Sequence, residues 1–232
     1  MIKAEHIKKK YGSNTVLRDV SVHVKQGEIY GLIGKNGSGK TTLLRIITGQ
    51  IKDYDGTVSI DKTGNHEHKV SAVINHPSLF LNMSAYENLK GQAYLLGVKD
   101  EQQIERALRM VGLTVDDKKS VKNYSLGMTQ RLKLAMALLE NPDILILDEP
   151  LNGLDPDGIA DLRNLLLDLN RNHGITILIS SHILRELEQI AIRFGILHNG
   201  VIVRELSVLD ASHDGKSMEE LYLQYTRGGI QQ

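Results

Sequence analysis

The segment Gly34–Thr41 limits the possible fold of this chain more strongly than any other part of the sequence. Its residues, GKNGSGKT, fit the pattern G-x-x-x-x-G-K-[ST]. The apolar run Ile29–Ile33 before it predicts a buried strand, and Thr42–Ile47 after it predicts the start of a helix. Glycines let successive backbone N–H groups point into one concavity, where the helix N-terminus adds positive potential. An ordinary glycine-rich turn is the alternative, but the elements on both sides favour a loop that binds a triphosphate.

Two side chains of this loop have distinct expected roles in binding a nucleotide such as ATP. Lys40 is placed to reach the β- and γ-phosphates, and the Thr41 hydroxyl is placed to ligate Mg²⁺. The predicted ATP-binding residues of this segment are Gly34, Lys35, Asn36, Gly37, Ser38, Gly39, Lys40, Thr41 and Thr42.

A second apolar run, Ile144–Pro150, ends in two acids and a proline. Such a run is typical of a strand buried on both faces of a parallel sheet, and ligands bind at the carboxyl ends of these strands. We expect Asp148 to hold Mg²⁺ through water and Glu149 to polarise an attacking water. Taken alone, the run favours a strand that ends in solvated acids. Together with the phosphate-binding loop, it favours a catalytic site.

The composition predicts a domain of the cytoplasm with a full hydrophobic core. The chain has 232 residues, enough for one domain or a domain with an inserted lobe. Lys+Arg and Asp+Glu are balanced at 28 each, so nothing indicates a nucleic-acid partner. The chain has no cysteine, which excludes a disulfide framework and a thiolate metal site. Met1–Glu5 does not match a signal peptide, and no apolar run approaches the ~20 residues of a membrane-spanning helix.

The order of the predicted elements is that of an α/β protein with an inserted helical part. The apolar period is helical from Ser84 to Glu140, a stretch much longer than the usual connection in a compact domain. We therefore predict a nucleotide-binding core of residues 1–75 and 141–232 and a helical subdomain of residues 76–140. The strand-like segments are 4–24, 56–60, 69–74, 144–147 and 175–179.

The polar segment 61–68 is expected to join two of these strands as a hairpin. It contains His66, Glu67 and His68, which suggest a metal site as one alternative. A structural zinc site normally needs four ligands, and no further ligands lie nearby in the sequence. We therefore favour a solvated turn.

The segment Tyr124–Arg131 makes the chain recognisable. Its sequence, YSLGMTQR, is a short polar turn that opens an amphipathic helix before Asp148, and it resembles the LSGGQ signature of ABC ATPases. The resemblance covers the whole chain, because other landmarks of the family follow in the same order. It implies the α/β fold of P-loop NTPases, with a RecA-like core, an antiparallel β subdomain and an inserted α-helical subdomain.

Each landmark has an expected role in that family and an ordinary alternative. Tyr11 resembles the aromatic residue that stacks on adenine, although it could be a half-exposed residue at a strand end. His182 resembles the catalytic switch histidine, or it caps the helix that follows. Ser125 and Gly127 are the signature positions expected to contact the γ-phosphate, and Ser125 alone is an ordinary N-cap. The loop Asn152–Asp155 resembles the one that touches a partner subunit.

Two departures from the family pattern stand out. Asn75 occupies the position where the family usually has a glutamine that approaches Mg²⁺ and the attacking water. Asparagine keeps the amide but is shorter by one methylene, so we expect a catalytic role for Asn75 with altered reach. Leu126 and Met128 replace a glycine and a glutamine of the signature. Since Ser125 and Gly127 remain, we expect hydrolysis to survive with different packing at the interface.

These departures also narrow the resemblance. The signature SLGM, the segment 74–80 (INHPSLF) and the tail Met218–Tyr222 are similar to ATP-binding subunits of bacitracin- and lantibiotic-type exporters. The resemblance implies an ATPase on the inner face of the cell membrane, with a separate integral membrane subunit that handles the cargo. A soluble ABC ATPase without a membrane partner is the alternative.

In this family one chain is incomplete as a catalytic unit. The resemblance implies a head-to-tail dimer, in which the signature of a second copy closes each of two ATP sites. The apolar segment Pro77–Met83 is the expected docking surface for the membrane subunit. Its side chains could instead fill the core of the helical subdomain, since sequence does not reveal exposure.

Overall fold

A computed structural model of the chain describes residues 1–61, 68–74, 78–207 and 217–227. Within these residues the protein is a mixed α/β structure built on one twisted sheet. The strands are β1 (Ile2–Tyr11), β2 (Asn14–Val24), β3 (Ile29–Ile33), β4 (Asp55–Ile60), β5 (Val70–Val73), β6 (Ile144–Asp148), β7 (Thr176–Ser181), β8 (Arg193–His198) and β9 (Val201–Ser207). The helices are α1 (Lys40–Ile47), α2 (Ala85–Leu96), α3 (Glu101–Met110), α4 (Leu126–Leu138), α5 (Pro156–Arg171), α6 (Leu184–Leu187) and α7 (Met218–Arg227).

The centre of the sheet is parallel and positions the candidate site. The strand order is β4-β1-β2-β9-β8-β3-β7-β6-β5, and β3, β7, β6 and β5 pair in parallel. Residues of β3 and β7, and all but the last residue of β6, are buried, which explains their continuous apolar runs. Ile33 pairs with Ser181, and Asp148 pairs with Ser180, so the carboxyl ends of β3, β7 and β6 meet at one edge.

The other end of the sheet is antiparallel and differs from the sequence expectation in one respect. β1 pairs with β2 and with β4, while β5 pairs with β6. The expected hairpin between residues 56–60 and 69–74 is therefore wrong, because these strands lie at opposite ends of the strand order. Residues 62–67, including His66 and Glu67, lie outside the described residues. His68 Nδ1 lies 3.6 Å from Asp143 Oδ2.

Three helices, α2 to α4, lie between β5 and β6 in the chain and pack on the sheet through one continuous apolar cluster. Leu89, Leu108 and Leu132 are fully buried in it together with Leu145 and Leu147 of β6. This packing fixes the start of α4 near the carboxyl end of β6. Among the described residues, no helix has the length and apolar character needed to cross a membrane.

Candidate nucleotide-binding and catalytic site

The loop between β3 and α1 has a backbone that requires glycine at two close approaches. Gly39, the N-cap of α1, has φ = +110°, and a Cβ there would lie 2.7 Å from Leu17 Cδ2. A Cβ on Gly34 would lie 2.4 Å from Ser38 Oγ and 2.5 Å from the Leu197 carbonyl oxygen. The loop therefore curls tightly into the start of α1, as the sequence pattern predicts.

The ammonium of Lys40 is held inside this loop by oxygen atoms. Lys40 Nζ donates to the carbonyl of Gly34 at 2.6 Å and to that of Lys35 at 3.2 Å. It also lies 3.1 Å from Glu149 Oε1, in an ion pair without good hydrogen-bond geometry. The buried hydroxyl of Ser38 has no hydrogen-bond partner among the described residues. A buried cation and an unpaired hydroxyl in one glycine-rich loop fit the phosphate groups of a nucleotide.

Asp148 joins the phosphate-binding loop to β7. The Thr41 hydroxyl donates to Asp148 Oδ2 at 2.6 Å, and the Ser180 hydroxyl donates to Asp148 Oδ1 at 2.6 Å. Hydroxyl and carboxylate oxygens are the ligands that Mg²⁺ prefers. The donor set at Thr41 and Asp148 therefore fits a magnesium ion. Sequence reasoning did not identify Ser180, because a serine within an apolar strand gives no signal of its partner.

Glu149 has a strained backbone and two side-chain partners. Its φ of +51° is unusual for a residue with a side chain, and such outliers occur at functional sites. Its N–H donates to Ser180 Oγ at 3.0 Å and lies 3.2 Å from the Ser180 carbonyl oxygen. Glu149 Oε2 lies 2.6 Å from His182 Nδ1, and Oε1 lies beside Lys40. The carboxylate is thus held between a lysine and a histidine at the edge of the sheet.

Glu186 is a further acid of this region that sequence reasoning missed. Burial raises the pKa of Glu186; nearby His182 opposes this shift, and the charge of Glu149 adds to it. Its Oε2 is buried and has no hydrogen-bond partner among the described residues. Glu186 lies on α6, which follows β7 and His182, so the turn brings it back toward the Glu149–His182 pair.

A cavity of about 440 Å³ separates the two acids from the start of α4. Asp148 and Glu149 line it together with Gln130 and Lys133 of α4. The side chains of Gln130 and Lys133 are themselves largely buried. Burial lowers the pKa of the Lys133 ammonium. The cavity places the acids opposite the helical part of the same chain.

The signature positions line a groove to which the phosphate-binding loop of the same chain contributes no residue. Ser125 is the N-cap of α4, and its hydroxyl accepts the Met128 N–H at 3.2 Å. Ser125 and Gly127 line a groove of about 420 Å³ shared with Leu154 and Asp155, the end of the Asn152–Asp155 loop. Leu126 lines both this groove and the cavity beside Glu149. Its side chain lies next to Gly153 of the Asn152–Asp155 loop.

The remaining predicted site residues fall in different places. Tyr11 ends β1 and is 48 % exposed. The neighbouring strand β2 contacts the phosphate-binding loop, since Val16 and Leu17 approach Gly39. Asn75 lies outside the described residues. The structure thus brings together the loop, Asp148, Glu149 and His182, while Ser125 and Gly127 form a separate surface.

This fold and site define a class of protein. A phosphate-binding loop follows one parallel strand, and acids and a histidine end the neighbouring strands, as in P-loop nucleoside triphosphatases. The family profile described as ABC transporter matches residues 17–152. The chain belongs to the ABC transporter family, as one of its ATP-binding ATPase subunits.

Known proteins and solved structures agree with this assignment. The chain is 42 % identical to the bacitracin transport ATP-binding protein BcrA of Enterococcus faecalis, over 90 % of the chain and 70 % of BcrA. It is 41 % identical to the lantibiotic transport ATP-binding protein SrtF of Streptococcus pyogenes, over 96 % of each protein. An ATP-binding subunit of an ABC transporter superposes with a TM-score of 0.80 at 30 % identity, covering 97 % of the chain and 99 % of that structure.

A second solved structure is a dimer. The dimeric cassette MJ0796, in a post-hydrolysis state bound to ADP and Pi, superposes with a TM-score of 0.76 at 27 % identity, covering 90 % of the chain and 99 % of that structure. These comparisons confirm the predicted α/β P-loop fold. Proteins of this type bind nucleotide, form dimers and work with membrane subunits.

Proposed function

We propose that this protein is the ATP-hydrolysing subunit of a membrane exporter that removes an antimicrobial peptide or drug, or confers immunity to it. The similarity to BcrA and SrtF over most of the chain supports an antimicrobial peptide or drug as the cargo. The clustering of Lys40, Glu149 and His182 supports ATP hydrolysis as the reaction. The subunit would work at the inner face of the cell membrane, attached to an integral membrane partner.

The chain's own residues have distinct roles in the proposed hydrolysis. Lys40 neutralises the β- and γ-phosphates of ATP, while Thr41 and Asp148 would hold Mg²⁺, which would offset charge on the phosphates. Glu149 orients and polarises the attacking water, and His182 holds the Glu149 carboxylate in place. The strained backbone of Glu149 aims its side chain between these partners.

We further propose that two copies of the chain associate head-to-tail. Ser125 and Gly127 line an open groove that contains no residue of their own phosphate-binding loop, which leaves them available to the nucleotide of a second copy. A two-fold interface would then place one signature over each ATP. Shared nucleotides would close the pair, and hydrolysis would reopen it.

A docking surface for the membrane subunit is proposed at Phe80, Leu81 and Met83. Phe80 and Leu81 are 59 % and 57 % exposed, and Met83 is also exposed. The buried side chain of Asn88 holds this segment, since its Oδ1 accepts the Phe80 N–H at 2.8 Å and its Nδ2 donates to the Phe80 carbonyl at 3.1 Å. The backbone is thus fixed while apolar side chains point outward, as at a protein–protein contact. Pro77 lies outside the described residues.

The proposed function is tested by genetic complementation in the native host. Deletion of the gene should increase sensitivity to bacitracin or to a lantibiotic, and the wild-type gene should restore resistance. A gene that encodes Glu149→Gln should not restore resistance, although the protein accumulates normally. Unchanged sensitivity to a panel of such compounds would contradict the proposed cargo.

The docking surface is tested by affinity capture from native membranes. Phe80→Asp together with Leu81→Asp should abolish recovery of an integral membrane subunit, because two charges would be buried at the contact. The same double substitution should leave the ATPase activity of the isolated chain intact. Tyr94→Asp, at another exposed aromatic of the helical part, is the matched control. Recovery of no membrane protein with the wild-type chain would favour a soluble ABC ATPase.

A further inference from the structure

A lysine is buried beside the aromatic residue expected to stack on adenine. Lys9 is only 6 % exposed, whereas its neighbours Lys8 and Lys10 are exposed. Its ammonium lies over the ring of Tyr11, 5.0 Å from the ring centroid. This distance is within the range of a cation–π contact, which strengthens when the cation is shielded from water.

The ammonium of Lys9 is also bound by a residue from a different segment of the chain. It donates to the backbone carbonyl of Asp53 and, at 2.9 Å, to Asp53 Oδ2. Asp53 lies in the segment that leads from α1 to β4, and α1 begins at the phosphate-binding loop. The contact therefore ties the end of β1 to the segment that follows the helix of this loop.

The register of the sheet places this contact next to the loop. Lys9 pairs with Leu17 across β1 and β2, and Leu17 lies against Gly39 of the phosphate-binding loop. Tyr11 thus lies on β1, and β2, the strand that pairs with β1, contacts the loop that would hold the phosphates. One face of the Tyr11 ring is turned to the ammonium, and the residue as a whole remains about half exposed.

We propose that Lys9, held by Asp53, is a positioning residue that fixes the Tyr11 ring for stacking against the adenine base. The inference rests on the proposed nucleotide site. The ammonium withdraws electron density from the face of the ring that it covers, which favours stacking of an electron-rich base on the free face. Lys9 itself touches neither the phosphates nor the reacting atoms.

The base and phosphate contributions are separated by two probes that are not hydrolysed, ADP and inorganic pyrophosphate. Lys9→Met removes the charge and keeps an unbranched side chain, so ADP affinity should fall by about 5- to 30-fold. Pyrophosphate has no base, and its affinity should stay unchanged. In steady-state hydrolysis KM for ATP should rise while kcat stays constant.

Control variants distinguish positioning from a general structural role. Lys10→Met changes an exposed lysine of the same strand and should leave both affinities unchanged. Lys9→Arg keeps a cation that can reach Asp53 and the ring, and it should restore most of the ADP affinity. Equal losses for ADP and pyrophosphate in Lys9→Met would overturn the inference, since Lys9 would then support only the fold.

Tyr11→Ala separates failure of the inference from failure of the nucleotide site. This variant should lower ADP affinity at least as much as Lys9→Met. If Tyr11→Ala weakens ADP binding and Lys9→Met does not, the role of Lys9 is wrong and the proposed site stands. If Tyr11→Ala binds ADP as tightly as the wild type, the base contact of the proposed site is itself wrong.

Discussion

The hydroxyl of Ser180 connects both acids of the candidate site, so its removal tests how the site is held together. Ser180 is fully buried, donates to Asp148 Oδ1 at 2.6 Å and accepts the Glu149 N–H at 3.0 Å. In Ser180→Ala the Glu149 N–H keeps the carbonyl oxygen of residue 180, at 3.2 Å, as an acceptor. The main loss is therefore the charge-assisted hydrogen bond to Asp148.

The expected losses of stability and activity in Ser180→Ala follow from that one hydrogen bond. A hydrogen bond to a charged group contributes about 1.5–3 kcal/mol, so the free energy of unfolding should fall by about this amount in Ser180→Ala. If the Ser180 hydrogen bond also orients Asp148 in the transition state of hydrolysis, its loss should lower kcat/KM by about 10- to 100-fold. Denaturant unfolding and steady-state phosphate release measure the two quantities.

The adjacent residue Ser181 supplies a matched control. Its side chain is also buried, but its hydroxyl accepts the Ile183 N–H at 2.9 Å and contacts neither acid. Ser181→Ala should cost about 1 kcal/mol of stability and leave kcat/KM near the wild-type value. A Ser180→Ala protein with normal kcat/KM would refute the reasoning. So would an equal loss of activity in both variants, because the effect would then not depend on Asp148.

Three further substitutions address the charges of the site. Lys40→Ala should abolish ATP binding in calorimetry, because it removes the cation held in the loop; tight binding by this variant would contradict the assignment. Glu149→Gln keeps size but removes the base, so ATP should still bind, hydrolysis should nearly stop, and gel filtration with ATP should show a dimer where the wild type is monomeric. Hydrolysis at the wild-type rate would place the base elsewhere. The raised pKa of Glu186 means that its neutral form is favoured in the folded state, so its contribution to stability is present below the ordinary glutamate pKa and is lost as pH rises through the raised value. Glu186→Gln should therefore raise the Tm at neutral pH and change it less in acid; the opposite order would contradict this sign.

The residues that could be predicted from sequence are those set by local patterns. The loop around Lys40 is defined by a strand, glycines and a helix within a short segment, and Glu149 follows directly from the end of a buried strand. The parallel pairing of β3, β7 and β6 then brings the ends of these strands together. The histidine at position 182 was placed by the order of family landmarks, and the structure puts its ring against Glu149.

The incorrect prediction of a hairpin between residues 56–60 and 69–74 shows what local sequence patterns cannot determine. A polar segment between two strand-like runs is a turn signal, but it does not say which strands pair. β4 pairs with β1 and β5 pairs with β6, each over a long separation in sequence. These pairings depend on which apolar faces meet in the whole sheet, and residues 61–68 contain no information about that.

The run Lys8–Lys10 shows the same limit at the level of one side chain. Consecutive lysines are usually solvated, because burial of an unpaired ammonium is costly. Yet Lys9 is buried, since the alternation of β1 turns it inward and Asp53, 44 residues later, supplies a carbonyl and a carboxylate. The Lys9–Asp53 pair has no sequence signal, because it requires the segment between α1 and β4 to lie against β1. Residues that tune the site in this way become visible only when distant segments are placed side by side.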